Sequence, residues 1–244
     1  GKLKDQRAVE PLIHVLTLYP REREAIQLLG QMQNKSAAEP LLRLLDPQDA
    51  HIDFQREVLK ALVQTGEASI AEQLVPLLHA ESQWALFEVI EQMREAGAPR
   101  AMLVPYGTPQ SRHETSFHEF MHACSFQKDL LAALGQLGNP SIVELLLNLL
   151  IPHPRFGYGG DFYISLLEAL GMLGEQRAIE PLARLLNPDL RFSEWRFQQT
   201  LVRTLRQLGD TRAELQTVDE ALQRLAEDYH RQTGKWLDGK RSSS

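Results

Sequence analysis

Several things are scarce in this sequence. It holds one cysteine, Cys124, among 244 residues, so neither an internal disulfide nor a cysteine-based zinc cluster can form. No uninterrupted apolar run of the roughly 18 residues needed to span a bilayer occurs. Only 10 valines and 9 isoleucines stand against 41 leucines, a balance that suits helices and argues against an all-β fold. Surplus positive charge is also missing: the formal net charge is -6, so nothing overall draws the chain to a polyanion, and nucleic acid is set aside as a partner. What remains, 43% hydrophobic against 24% charged residues, is the balance of a folded chain, expected in a reducing, cytoplasmic setting. P-loop, G-x-S-x-G and dinucleotide-binding glycine patterns are absent, so the expectation is a non-enzyme with no cofactor.

A short segment recurs instead: RAVEPLIHVL (7–16), SAAEPLLRLL (36–45), SIAEQLVPLL (69–78), SIVELLLNLL (141–150) and RAIEPLARLL (177–186). The copies end at Leu16, Leu45, Leu78, Leu150 and Leu186, with gaps of 29, 33, 72 and 36. The gap of 72 reads as two periods, with a degenerate copy, APRAMLVPYG (98–107), in a weakened repeat over about 90–128. A second piece ends in glycine at Gly30, Gly66, Gly138, Gly174 and Gly209. Each unit therefore reads as helix A, a turn at a glycine able to adopt left-handed backbone, then helix B. Leu130, Leu134 and Leu137 mark a buried stripe of helix A. One such pair cannot bury its apolar faces alone, so neighbours must stack. The expected fold is all-α, an α-solenoid of about six helix pairs over residues 1–212, a capping helix over 213–238 and a disordered tail at 239–244. At the other end, residues 1–16 carry an apolar face that needs a preceding segment or a partner to cover it.

EALGMLGEQRAIEPLARLL (168–186) resembles the HEAT-like repeat of the phycobilisome-lyase type, and weaker likeness extends over roughly residues 5–215. That resemblance implies a scaffold that binds another protein, or alternatively a bilin-lyase-like chaperone subunit. In the second case His153, Arg155 and Tyr158 are natural contacts for a tetrapyrrole.

In register, the repeats place a glutamate at one position, Glu10, Glu39, Glu72, Glu144 and Glu180, and His14, Arg43, Pro76, Asn148 and Arg184 four residues later. Spacing of four puts each pair on one helical face. Stacked B helices would then offer a concave acidic column, broken by Arg43 and Arg184, to a basic or helical protein segment. The same glutamates, in the first turn of a helix, also complement the helix dipole.

Two insertions, PYGTPQSRHE (105–114) and PHPRFGYGGDFY (152–163), are expected on one edge. They would gather Tyr106, Arg112, His113, His153, Arg155, Phe156, Tyr158, Phe162 and Tyr163, with Phe54, Trp84, Phe192 and Trp195 on the same edge. Aromatics and arginines are frequent interface anchors. As anchors, Phe156 and Tyr158 should be replaceable by alanine with little loss of stability.

His118-Glu119-Phe120-Met121-His122 spells HExxH, the spacing that holds zinc with two histidines and activates its water with the glutamate. A zinc enzyme needs a third ligand, and Glu144 is displaced: His122 lies about 24 Å before the turn along helix A and Glu144 about 9 Å after it along helix B. His153 or Asp161 would have to serve, and solvated histidines are the simpler reading. The His-Glu dyads of deoxyhypusine hydroxylase, a HEAT-repeat di-iron enzyme, are matched only by His113-Glu114 and His118-Glu119, which share one segment rather than separate repeats. Ser111 and Glu114 read more simply as a helix-capping box.

Overall fold

The structure is a computed structural model that describes residues 6–46, 51–78, 112–152, 158, 160–190 and 194–234, with the backbone alone for 112–124. Among the described residues it is all-α, with eleven α-helices and no strand. No helix among them is long and apolar enough to cross a membrane. The chain divides into two compact units, Gly1–Ile142 and Val143–Ser244. The first contains α1 (Val9–Leu18), α2 (Arg23–Met32), α3 (Ala38–Leu42), α4 (Ile52–Thr65), α5 (Ala71–Leu74) and α6 (Arg112–Leu137). The second contains α7 (Val143–Leu147), α8 (Asp161–Leu173), α9 (Ile179–Ala183), α10 (Trp195–Gln207) and α11 (Glu214–Thr233).

Helices pack in pairs within each unit, and α2, α4, α6, α8 and α10 stand where helix A is expected. In the first unit α1 packs on α2, α2 on α4 and α4 on α6; in the second, α8 packs on α10 and α10 on α11. Burial follows the repeat. Leu29, Leu62, Leu134, Leu170 and Leu205 of the A helices, and Leu41, Leu74, Leu146 and Leu182 of the B helices, are fully buried. Each contributes about 1.5–3 kcal/mol through removal from water. The amphipathic C-terminal segment is α11, with Leu215, Val218 and Leu222 buried.

Three features differ from the sequence expectation. First, helix B is short. Outside α1 it is a single 3-10 turn followed by four or five α-helical residues, as in Lys35–Ala37 and Ala38–Leu42. The chain then tightens into i to i-3 bonds, with Leu44 donating to Leu41 and Leu45 to Leu42. Asp46-Pro47, Ile151-Pro152 and Asn187-Pro188 stop it there, because the residue before proline is disfavoured in α geometry.

Second, the first turn is not at Gly30. Positive φ occurs at Gly66, Gly138, Gly174 and Gly209, but in the first pair it falls on Gln33, at φ 53°. Gly30 sits one turn earlier inside α2, where a Cβ would lie 2.8 Å from the Cα of Ala61 in α4. In the first pair, therefore, the glycine lets α2 and α4 approach, and the turn is made three residues later by Gln33. Aligning glycine with glycine merged these roles in the first copy.

Third, α4 and α5 are direct neighbours of α6 and the turn after it. Arg56 bonds Asp129 at 2.6 Å and Ser125 at 2.5 Å, Asn139 donates to the carbonyl of Ala68 at 3.0 Å, and Ser141 donates to Glu72 at 2.6 Å. These contacts span 69 to 73 residues, whereas equivalent links elsewhere span 32 to 37. No described helix pair intervenes between α5 and α6. The segment 98–107 itself lies outside the described residues. At its N-terminal end α6 also runs about 18 Å beyond the level at which α4 begins, taking 1.5 Å per residue.

Candidate protein-binding surface

The short B helices present the same positions in every copy. Each recurring glutamate lies in the first turn of its α-helix, where the unpaired amides favour negative charge. Glu10, Glu39, Glu72, Glu144 and Glu180 are exposed in all five, and so are His14, Arg43, Pro76, Asn148 and Arg184. The column is less free than its spacing suggests. Glu39 pairs with Arg43 at 3.4 Å, one turn along the same helix. Glu72 accepts from Ser141, and Glu180 accepts from Arg212 at 2.8 Å. These last two bonds reach the turn of the following helix pair, so the glutamates also tie neighbours together. Arg212 sits between Glu180 and Asp210, and the hydrogen bond it donates to Glu180, then that to Asp210, raises its pKa.

The turns before helix B are built alike. Asn34 accepts from the amide of Ser36, Glu67 from Ser69, Asn139 from Ser141 and Asp210 from Arg212. Bonds from the hydroxyl and amide of Ser69 hold the Glu67 carboxylate below its ordinary range. A folded-state pKa lowered in this way gives stability present above the unfolded carboxylate value and lost as pH falls through the lowered one.

Beside Arg184 lies a groove of about 250 Å³ between α9 and α11. Ala183, Leu186, Pro188 and Val218 supply its apolar surfaces, with Arg184, Arg212 and Glu214 at the polar side.

The faces of the A helices are occupied by ion pairs between successive helices. Arg23 meets Glu57 at 3.3 Å and Arg56 meets Asp129 in the first unit. In the second unit Arg196 meets Asp161 at 2.8 Å and Arg203 meets Glu168 at 2.7 Å. Arg206 pairs with Asp219. The arginine stripe of α10 is thus neutralised residue by residue. Exposed pairs of this kind contribute about 0–1 kcal/mol each.

Among the described residues, the aromatics expected on the edge are largely core. Phe54, Phe162, Tyr163 and Trp195 are buried, Trp195 at 9% exposure, so the expected anchor Trp195 offers little surface to a partner. Tyr158 is half-buried: its ring stacks on Phe197 with centroids 4.4 Å apart and meets Tyr163 edge-on at 5.3 Å. Its hydroxyl donates to the carbonyl of Leu150 at 3.4 Å. Burial, then the charge of Glu194, pushes the Tyr158 phenol above its usual range. This packing runs against the expectation that Tyr158 can be removed with little loss of stability. Tyr158→Ala should cost about 1–3 kcal/mol in chemical denaturation, from lost burial and ring stacking; an unchanged midpoint would return Tyr158 to the surface.

Tyr106, His153, Arg155, Phe156, Trp84 and Phe192 lie outside the described residues, as do the side chains of Arg112, His113, His118, Glu119, His122 and Cys124. The backbone places HExxH on α6, so the helical spacing of His118 and His122 holds.

A recurring pair escaped the sequence reading: Phe54-Gln55, Phe126-Gln127, Phe162-Tyr163 and Phe197-Gln198, each eleven or twelve residues before a left-handed glycine. The phenylalanine fills the core, and its neighbour clamps the end of the preceding helix B. Gln55 accepts from the amide of Asp46 at 3.0 Å, and Gln127 donates to the carbonyl of Leu77 at 3.0 Å. Gln198 accepts from the amide of Asn187 and donates to the carbonyl of Leu185. Tyr163, longer than glutamine, reaches the carbonyl of Ile151. The signal is a fixed offset from the glycine, which placing Phe54 and Phe162 on the aromatic edge conceals.

Helix pairs with recurring turns, a shared core register and repeated exposed positions define a helix-pair repeat protein. Residues 163–188, from α8 to the end of the α9 segment, match the PBS lyase HEAT-like repeat. No curated protein matches the chain.

Proposed function

We propose that this chain is a non-enzymatic scaffold, an α-solenoid of HEAT-like repeats that binds another protein through the exposed face of its B helices. One observation carries the reading: the glutamate and the residue four later are exposed in all five copies, while the leucines between them, Leu145 apart, are buried or half-buried. Within each unit, exposed positions repeated on neighbouring helix pairs offer a binding surface. Repeats of this class generally mediate protein binding. The favoured partner is a basic or helical segment, steered by the glutamates and therefore sensitive to salt. The groove beside Arg184 extends the same face. With Trp195 and Tyr158 packed inward, the B face takes precedence over the aromatic edge.

A photocrosslinking side chain introduced at Glu39 or Arg184 should yield higher-mass adducts with proteins of a native lysate. The same group at Lys60 or Gln199, exposed on A helices, should yield few. Equal labelling from both faces, or labelling from the A helices alone, would sink the assignment.

A further inference from the structure

We draw no further inference here: the strongest candidate, the His118-Glu119-x-x-His122 pattern on the part of α6 that runs beyond the start of α4, rests on side chains outside the described residues, so the structure shows no ligand geometry for it.

Discussion

Phe197→Ala should destabilise the second unit by about 3–5 kcal/mol, the usual cost of emptying a buried phenylalanine site. Phe197 is 1% exposed, stacks on Tyr158 and meets Tyr163 edge-on at 6.4 Å. Removing it withdraws the ring that holds both tyrosines and loosens the position of Gln198, the neighbouring clamp. A domain has only about 5–15 kcal/mol of stability in total, so the loss is a large share. Urea titration followed by far-ultraviolet dichroism is the measurement. The expected signature is a lower midpoint for one part of the transition, with the part belonging to the first unit in place. Phe54→Ala, at the equivalent core position of the first unit, should lower the other part. A loss below about 1 kcal/mol for Phe197→Ala would mean that the site collapses freely and that the stacked rings are not a core.

Gly30→Ala and Gly171→Ala should differ, although the repeat places both glycines at one position. Alanine gains about 1 kcal/mol over glycine from helix propensity in either case. At Gly30 the added Cβ would lie 2.5 Å from Oε1 of Gln64 and 2.8 Å from the Cα of Ala61. The glutamine tip can swing away, but the Cα cannot, so α2 and α4 must separate. Overpacking of this kind costs typically about 1–3 kcal/mol, and loss of close helix contact adds to it. A net destabilisation of about 2 kcal/mol is expected. At Gly171 the nearest atoms are the Gln207 side-chain oxygen at 3.0 Å and a Thr204 methyl at 3.4 Å, both ends of side chains. There the propensity gain should roughly cancel the crowding. Denaturation midpoints for the two variants decide the matter, and equal shifts would refute the claim that the first glycine of the motif serves helix approach in α2.

How far the sequence could be read depended on which interaction carried the signal. Buried leucines recur with helical period, so Leu130, Leu134 and Leu137 announced their stripe, and left-handed glycines announced four of five turns. Gln33 did not, because nothing in its side chain distinguishes a strained turn residue from a surface glutamine. The gap of 72 satisfied a two-period reading by length alone. Only the bond from Gln127 to Leu77 and its companions disclosed that the flanking pairs are neighbours. Glutamate spacing located the exposed face but not the partners that Glu72 and Glu180 take from the next turn. Tyr158 and Trp195 were ambiguous in principle, since large aromatic area serves a core and an interface equally well.

The side-chain clamp also gives the array a direction in time. The end of each helix B is held by a residue of the helix A that follows it, as Leu185 and Asn187 are by Gln198. During synthesis the upstream pair is complete before its clamp exists, and its terminal backbone groups bond to water until the next helix leaves the ribosome. At about 5–20 residues per second, a clamp 9 to 13 residues downstream closes within about three seconds. Among the described clamps Leu77 waits longest, because Gln127 is 50 residues away.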